Sequence, residues 1–129
     1  MQIEDFLKYE YKIGARGEDC FVDCWGLTRL ARAKLFNKPL LPLFENAKMG
    51  SQKNISTAYL FQSSKMKRCE KKDGAIVAIL KENLCIHVAL VVKEFILEIR
   101  KEGQRARLVP FYKFMQMYKK PLFEVLFYD

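Results

Sequence analysis

A chain of 129 residues, half of them hydrophobic, is the size of one ordinary domain and can bury a real core, so a single domain over 1–129 is expected. Its 23 basic against 15 acidic residues give a net charge of +8, which attracts polyanions without choosing among nucleic acid, an anionic membrane and an anionic cell wall. The run Leu84 to Val92 is too short to span a bilayer as a helix, so no membrane insertion is expected, and Met1-Gln2-Ile3-Glu4-Asp5 lacks the basic and apolar regions of a secretory signal, which predicts synthesis in the cytoplasm.

In chain order, the stretch up to Tyr11 is weakly helical, with Ile3, Phe6 and Leu7 on one side. Tyr11 to Gly17 then reads as loop, marked by Gly14 and Gly17. Asp23 is a good N-cap for a helix that carries Leu27, Leu30, Ala31 and Leu35 at helical spacing and ends near Phe36-Asn37. Pro39 and Pro42 make the next segment extended, and Gly50-Ser51 offers the start of a second helix running to about Met66.

After Lys71-Lys72-Asp73-Gly74 the character turns to strand. Ala75 to Leu80, Leu84 to Val92, Phe95 to Arg100, Ala106 to Val109 and Leu122 to Phe127 are separated by short polar breaks and by a short helix over Phe111 to Tyr118 that begins at Pro110. Helices first and strands afterwards predict an α+β domain with a C-terminal antiparallel meander.

Two positions stand out chemically. Cys24 falls at the first turn of the Asp23-capped helix, where unpaired N–H groups and the positive end of the helix dipole favour the thiolate, the nucleophilic form. Gly26 lowers helix propensity, and one reason to keep it there is close approach of another backbone, such as a sheet under the helix start. His87, the only histidine, lies in the second strand, where strict alternation puts Cys85, His87, Ala89 and Val91 on one face. On the next strand Ile96, Glu98 and Arg100 share a face, so Glu98 can come beside the imidazole and orient it while the ring serves a thiol as base and acid. Cys20 is the competing nucleophile, but it precedes the cap and lacks the helix terminus. Four cysteines without a Cys-x-x-Cys pair, and one histidine, predict neither a disulfide scaffold nor a zinc site, and no cofactor or metal is implied.

Asp23-Cys24-Trp25-Gly26-Leu27-Thr28 resembles the Asp-Cys-x-Gly-Phe/Leu-Val/Thr motif of the NlpC superfamily of papain-like cysteine peptidases, particularly versions associated with phage tails. His87-Val88-Ala89-Leu90-Val91-Val92 is similar to that family's His-Val-Gly-Ile strand, Asp73-Gly74-Ala75-Ile76-Val77 to its Gly-Asp-Leu-Val segment, and Tyr11-Lys12-Ile13-Gly14 to its Tyr-x-x-Gly. The resemblance implies a papain-like fold with the nucleophile helix packed on the meander. It makes Cys24 the nucleophile, His87 the base and Tyr11, with Asp23, a supporting group near the sulfur. The family's third residue, usually a histidine, falls at Glu98; Ala89 stands for a glycine, and Asp73-Gly74 reverses the family order.

The implied activity is hydrolysis of amide bonds in peptidoglycan stem peptides, of the D-glutamyl to diamino acid type, by a phage tail-associated cell-wall hydrolase. The implied partners are the peptidoglycan peptide and other tail proteins, with the virion tail as destination. Two other classes compete. One is a catalytically idle structural or assembly protein of a tail with the same fold, motivated by the replaced third residue. The other is a thiol acyltransferase using the same Cys-His pair, which added amine or lipid acceptors would reveal. No nucleic-acid partner is expected, because the basic cluster Lys65 to Lys72 belongs to no recognised module and reads as a solvated helix end and loop.

Overall fold

The computed structural model describes residues 2–42, 52–101 and 104–129. Gly50-Ser51, the expected start of the second helix, lies outside the described residues, as do Glu102 and Gly103 of the expected polar break Glu102-Gly103-Gln104. The order of elements is α1 (Glu4–Leu7), β1 (Glu10–Tyr11), β2 (Phe21–Val22), α2 (Cys24–Phe36), α3 (Gln52–Ser63), β3 (Arg68–Cys69), β4 (Ile76–Lys81), β5 (Leu84–Val92), β6 (Phe95–Glu98), β7 (Arg107–Pro110), α4 (Phe111–Met117) and β8 (Phe123–Tyr128).

The mixed helix and sheet architecture is the expected α+β class. Strands β4 to β7 form an antiparallel meander, and β8 returns to the far side of β4, giving the order β3-β8-β4-β5-β6-β7 with every pair antiparallel. The β4–β5 hairpin closes on two residues, Glu82 and Asn83, both at positive φ, the geometry whose twist matches that of paired strands. Sequence alone did not anticipate β1 and β2, which pair in parallel through Tyr11 and Val22 and brace the approach to α2.

Strands β4 and β5 are apolar almost throughout because helices cover the sheet on both sides. On one face Trp25, Leu27 and Ala31 of α2 pack with Ala78, Val88, Leu90 and Leu97. On the other, Phe114 of α4 packs with Val77, Ile79, Ala89, Val91 and Ile96.

One irregularity corrects the expected alternation. Ile79 pairs with His87 while its neighbour Leu80 pairs with Cys85, so β5 carries an extra residue at this point. The bulge sends Cys85 to the α2 face, whereas His87 follows its partner Ile79, with Ala89 and Val91, to the α4 face. Cys85 therefore does not share a face with His87; its backbone N–H donates instead to Ser56 Oγ of α3 at 2.9 Å.

Candidate active site

Asp23 caps α2 as its sequence position demands. Its Oδ1 accepts from Gly26 N–H at 2.8 Å, and its fully buried carboxylate also receives Gly14 N–H at 3.1 Å and the guanidinium of Arg16. Cys24 is the first residue of α2, and Thr28 Oγ1 donates to its carbonyl at 2.7 Å. Gly26 is required by a close backbone approach, but the backbone is the Ala15–Arg16 loop rather than the sheet. A Cβ at position 26 would stand 2.6 Å from the Ala15 carbonyl oxygen and 3.2 Å from Arg16 Cα. Tyr11 is buried in the same apolar cluster as Cys24. Cys20 is exposed, in the short 3-10 turn ahead of β2.

Cys24 is only 5% exposed, and its environment reverses the expectation of an activated thiolate. Burial pushes its pKa well up, and the neighbouring Asp23 carboxylate adds to the rise; the Val88 backbone and Arg16 oppose both without overcoming them. The helix terminus is present, yet desolvation and a like charge outweigh it. Cys24 rests as a neutral thiol.

The backbone contact at Val88 shows where the sulfur sits. Val91 exchanges hydrogen bonds with the Gly74–Ala75 segment on the β4 side, so alternation turns the N–H of Val88 toward β6. The β5–β6 ladder runs only from Val92–Phe95 to Leu90–Leu97, which leaves Val88 beyond its end. The Cys24 sulfur lies against the backbone of Val88, the residue that follows His87, on the α2 side of the sheet.

Beyond the end of that ladder, β5 and β6 are bridged by the pair that alternation anticipated. His87 Nε2 lies 3.0 Å from Glu98 Oε1, with both side chains buried. Glu98 is fully buried rather than the solvent-facing member of its strand, and it is directly opposite Arg107, whose Nε and Nη2 reach Oε2 at 2.9 and 2.7 Å. Arg100 Nε lies 3.4 Å from the same oxygen, and its guanidinium also donates to the Tyr118 hydroxyl. Burial raises the Glu98 carboxyl, but the hydrogen bond and charge of His87, then Arg107 and Arg100, outweigh it and hold the pKa down at about 2.

The structure thus brings His87 and Glu98 into contact and sets Cys24 against Val88, while no hydrogen bond joins Cys24 to His87. Sequence reasoning missed Arg16, Arg107 and Tyr118, and placed Arg100 on the face of Glu98 without giving it a role. The signal for Arg107 was available: in an antiparallel hairpin an arginine opposite a glutamate is a favoured cross-strand pair. Among the described residues no cluster of three or more His, Cys, Asp or Glu side chains could hold a metal ion, and no helix is long and apolar enough to cross a membrane. No family model, curated protein or solved structure matches this chain.

Proposed function

We propose that the chain is a papain-like cysteine peptidase domain that hydrolyses amide bonds in peptidoglycan stem peptides and is delivered as part of a phage tail. The observation that carries the chemistry is a helix-terminal cysteine set against Val88, the residue that follows an imidazole whose Nε2 a buried carboxylate holds. Cys24 packs on the α2 side of the sheet and His87 faces α4, so attack requires the sulfur to reach the ring past the end of the β5–β6 ladder. Glu98 occupies Nε2, so Nδ1 is the nitrogen left to take the thiol proton. Sulfur then attacks the amide carbonyl. The N–H of Cys24, which as the first helical residue has no acceptor within α2, is one donor for the developing oxyanion. His87 returns the proton to the leaving amine, and water deacylates the enzyme with His87 as base. The stem-peptide substrate and the tail context rest on the resemblance of the Cys24 and His87 segments to the NlpC superfamily, and the charge of +8 suits an anionic wall.

A second reading has its own support: the buried, neutral Cys24, without a hydrogen bond to His87, suits an idle tail component that keeps the fold. Mass spectrometry of defined stem peptides incubated with the wild type, Cys24→Ala and Cys20→Ala separates the two. Cleavage lost only in Cys24→Ala is the expected result. No cleavage by the wild type overturns the peptidase reading in favour of the idle one.

A further inference from the structure

Glu98 divides its oxygens between two kinds of partner. Oε1 faces the imidazole alone, at 3.0 Å, while Oε2 takes both arms of Arg107 at 2.9 and 2.7 Å and Arg100 at 3.4 Å. The distinction matters because an ionised carboxylate only accepts, whereas a protonated one also donates. As an acceptor, Glu98 requires a proton on His87 Nε2 and leaves Nδ1 with its lone pair. As a donor it would require the reverse, and Nδ1, now carrying the ring proton, could not act as base.

A carboxyl with no solvent exposure and no counter-ion takes up a proton. The tautomer of His87 therefore depends on what keeps Glu98 charged. The charged and titratable groups around that carboxylate are His87 from β5, Arg100 just past β6, Arg107 from β7 and Tyr118 at the end of α4. His87 cannot hold Glu98 ionised by charge while it is the neutral base. Arg100 is committed to Tyr118 and stands farther off. Arg107 alone places two N–H donors on the carboxylate, both on Oε2, as charge-assisted hydrogen bonds of 2.9 and 2.7 Å.

We propose that Arg107 is a positioning residue: by clamping Oε2 it keeps Glu98 ionised with Oε1 aimed at the ring, and so fixes His87 as the Nε2–H tautomer with Nδ1 free for the thiol. The catalytic consequence rests on the peptidase reading; the tautomer does not. Arg107 is, after His87, among the groups that hold the Glu98 carboxyl down.

Because the chain has one histidine, nitrogen-15 NMR of the labelled full-length protein reads this ring directly. At a pH where the imidazole is neutral, the wild type is expected to carry its proton on Nε2. Arg107→Gln should lose that preference and Arg107→Lys, which keeps the charge, should retain most of it, with the backbone spectra of the same samples reporting the fold. An Nδ1–H ring in the wild type overturns the proposal even if a variant does not fold, and so does a wild-type tautomer in Arg107→Gln. Stem-peptide cleavage measured in parallel keeps the failures apart. An inactive wild type with the expected tautomers sinks only the peptidase reading, whereas an active wild type whose ring is indifferent to Arg107 sinks only this inference.

Discussion

Replacing Glu98 by Gln should weaken the fold near neutral pH and leave it nearly unchanged in strong acid. In the folded protein the carboxyl pKa falls from 4.5 to about 2. At about 1.4 kcal/mol for each pH unit, that corresponds to about 3 kcal/mol of stability from the ionised group. The side chain is fully buried, so solvent screening at the carboxylate removes little of it. Arg107 and Arg100, with side chains 46% and 31% exposed, can rehydrate when their partner is lost, which puts the deficit at the low end of the roughly 3–5 kcal/mol typical of a broken buried pair. Because the folded pKa is the lower one, this stability is fully present above 4.5 and is lost as the pH falls toward 2. Asp129, whose carboxyl Lys72, Arg32 and Lys38 hold well below the usual range, titrates in both proteins and drops out of the difference. Urea unfolding of the wild type and Glu98→Gln, near pH 7 and again near pH 2, measures the effect. An equal deficit at both pH values, or a deficit under about 0.5 kcal/mol at neutral pH, would refute the assignment of a buried, ion-paired carboxylate.

The cysteines should separate by burial. Iodoacetamide is expected to modify exposed Cys20 well before Cys24 and Cys85, whose thiols burial keeps protonated, and peptide mapping that finds Cys24 first would contradict its neutral resting state. Gly26→Ala, which in an open helix would gain up to about 1 kcal/mol, should instead lower the melting temperature, with a deficit of about 1–3 kcal/mol, because its Cβ would collide with the Ala15 carbonyl. A stabilised variant would mean that the loop is free to withdraw.

Much of the fold was legible because local chemistry and tertiary role agree. Asp23 caps α2 by a contact within its own turn, and Asn37 ends that helix in the left-handed conformation. The strands of the meander fall close to their expected spans, since two covered faces demand continuous apolar runs. The return of β8 beside β4 and the parallel β1–β2 pair were not legible, because pairing between segments distant in sequence leaves no local signature.

At the candidate site, sequence by itself determined which groups were available: a cysteine at a capped helix start, one histidine in a strand, and a glutamate in the following strand. Alternation also brought Glu98 to His87, as a hairpin fixes its neighbours through short-range geometry. Tertiary structure decided the rest. The β5 bulge moved Cys85 to the other face, because one extra residue reverses every side chain before it. The end of the β5–β6 ladder placed Cys24 against Val88. Burial and neighbouring charge set the charge states: desolvation turned the expected thiolate into a neutral thiol, while His87, Arg107 and Arg100 outweigh it at Glu98 and keep that enclosed carboxylate ionised. A residue's place in the sequence gives its chemical identity, whereas desolvation and neighbouring charge belong to the assembled fold and fix its protonation state.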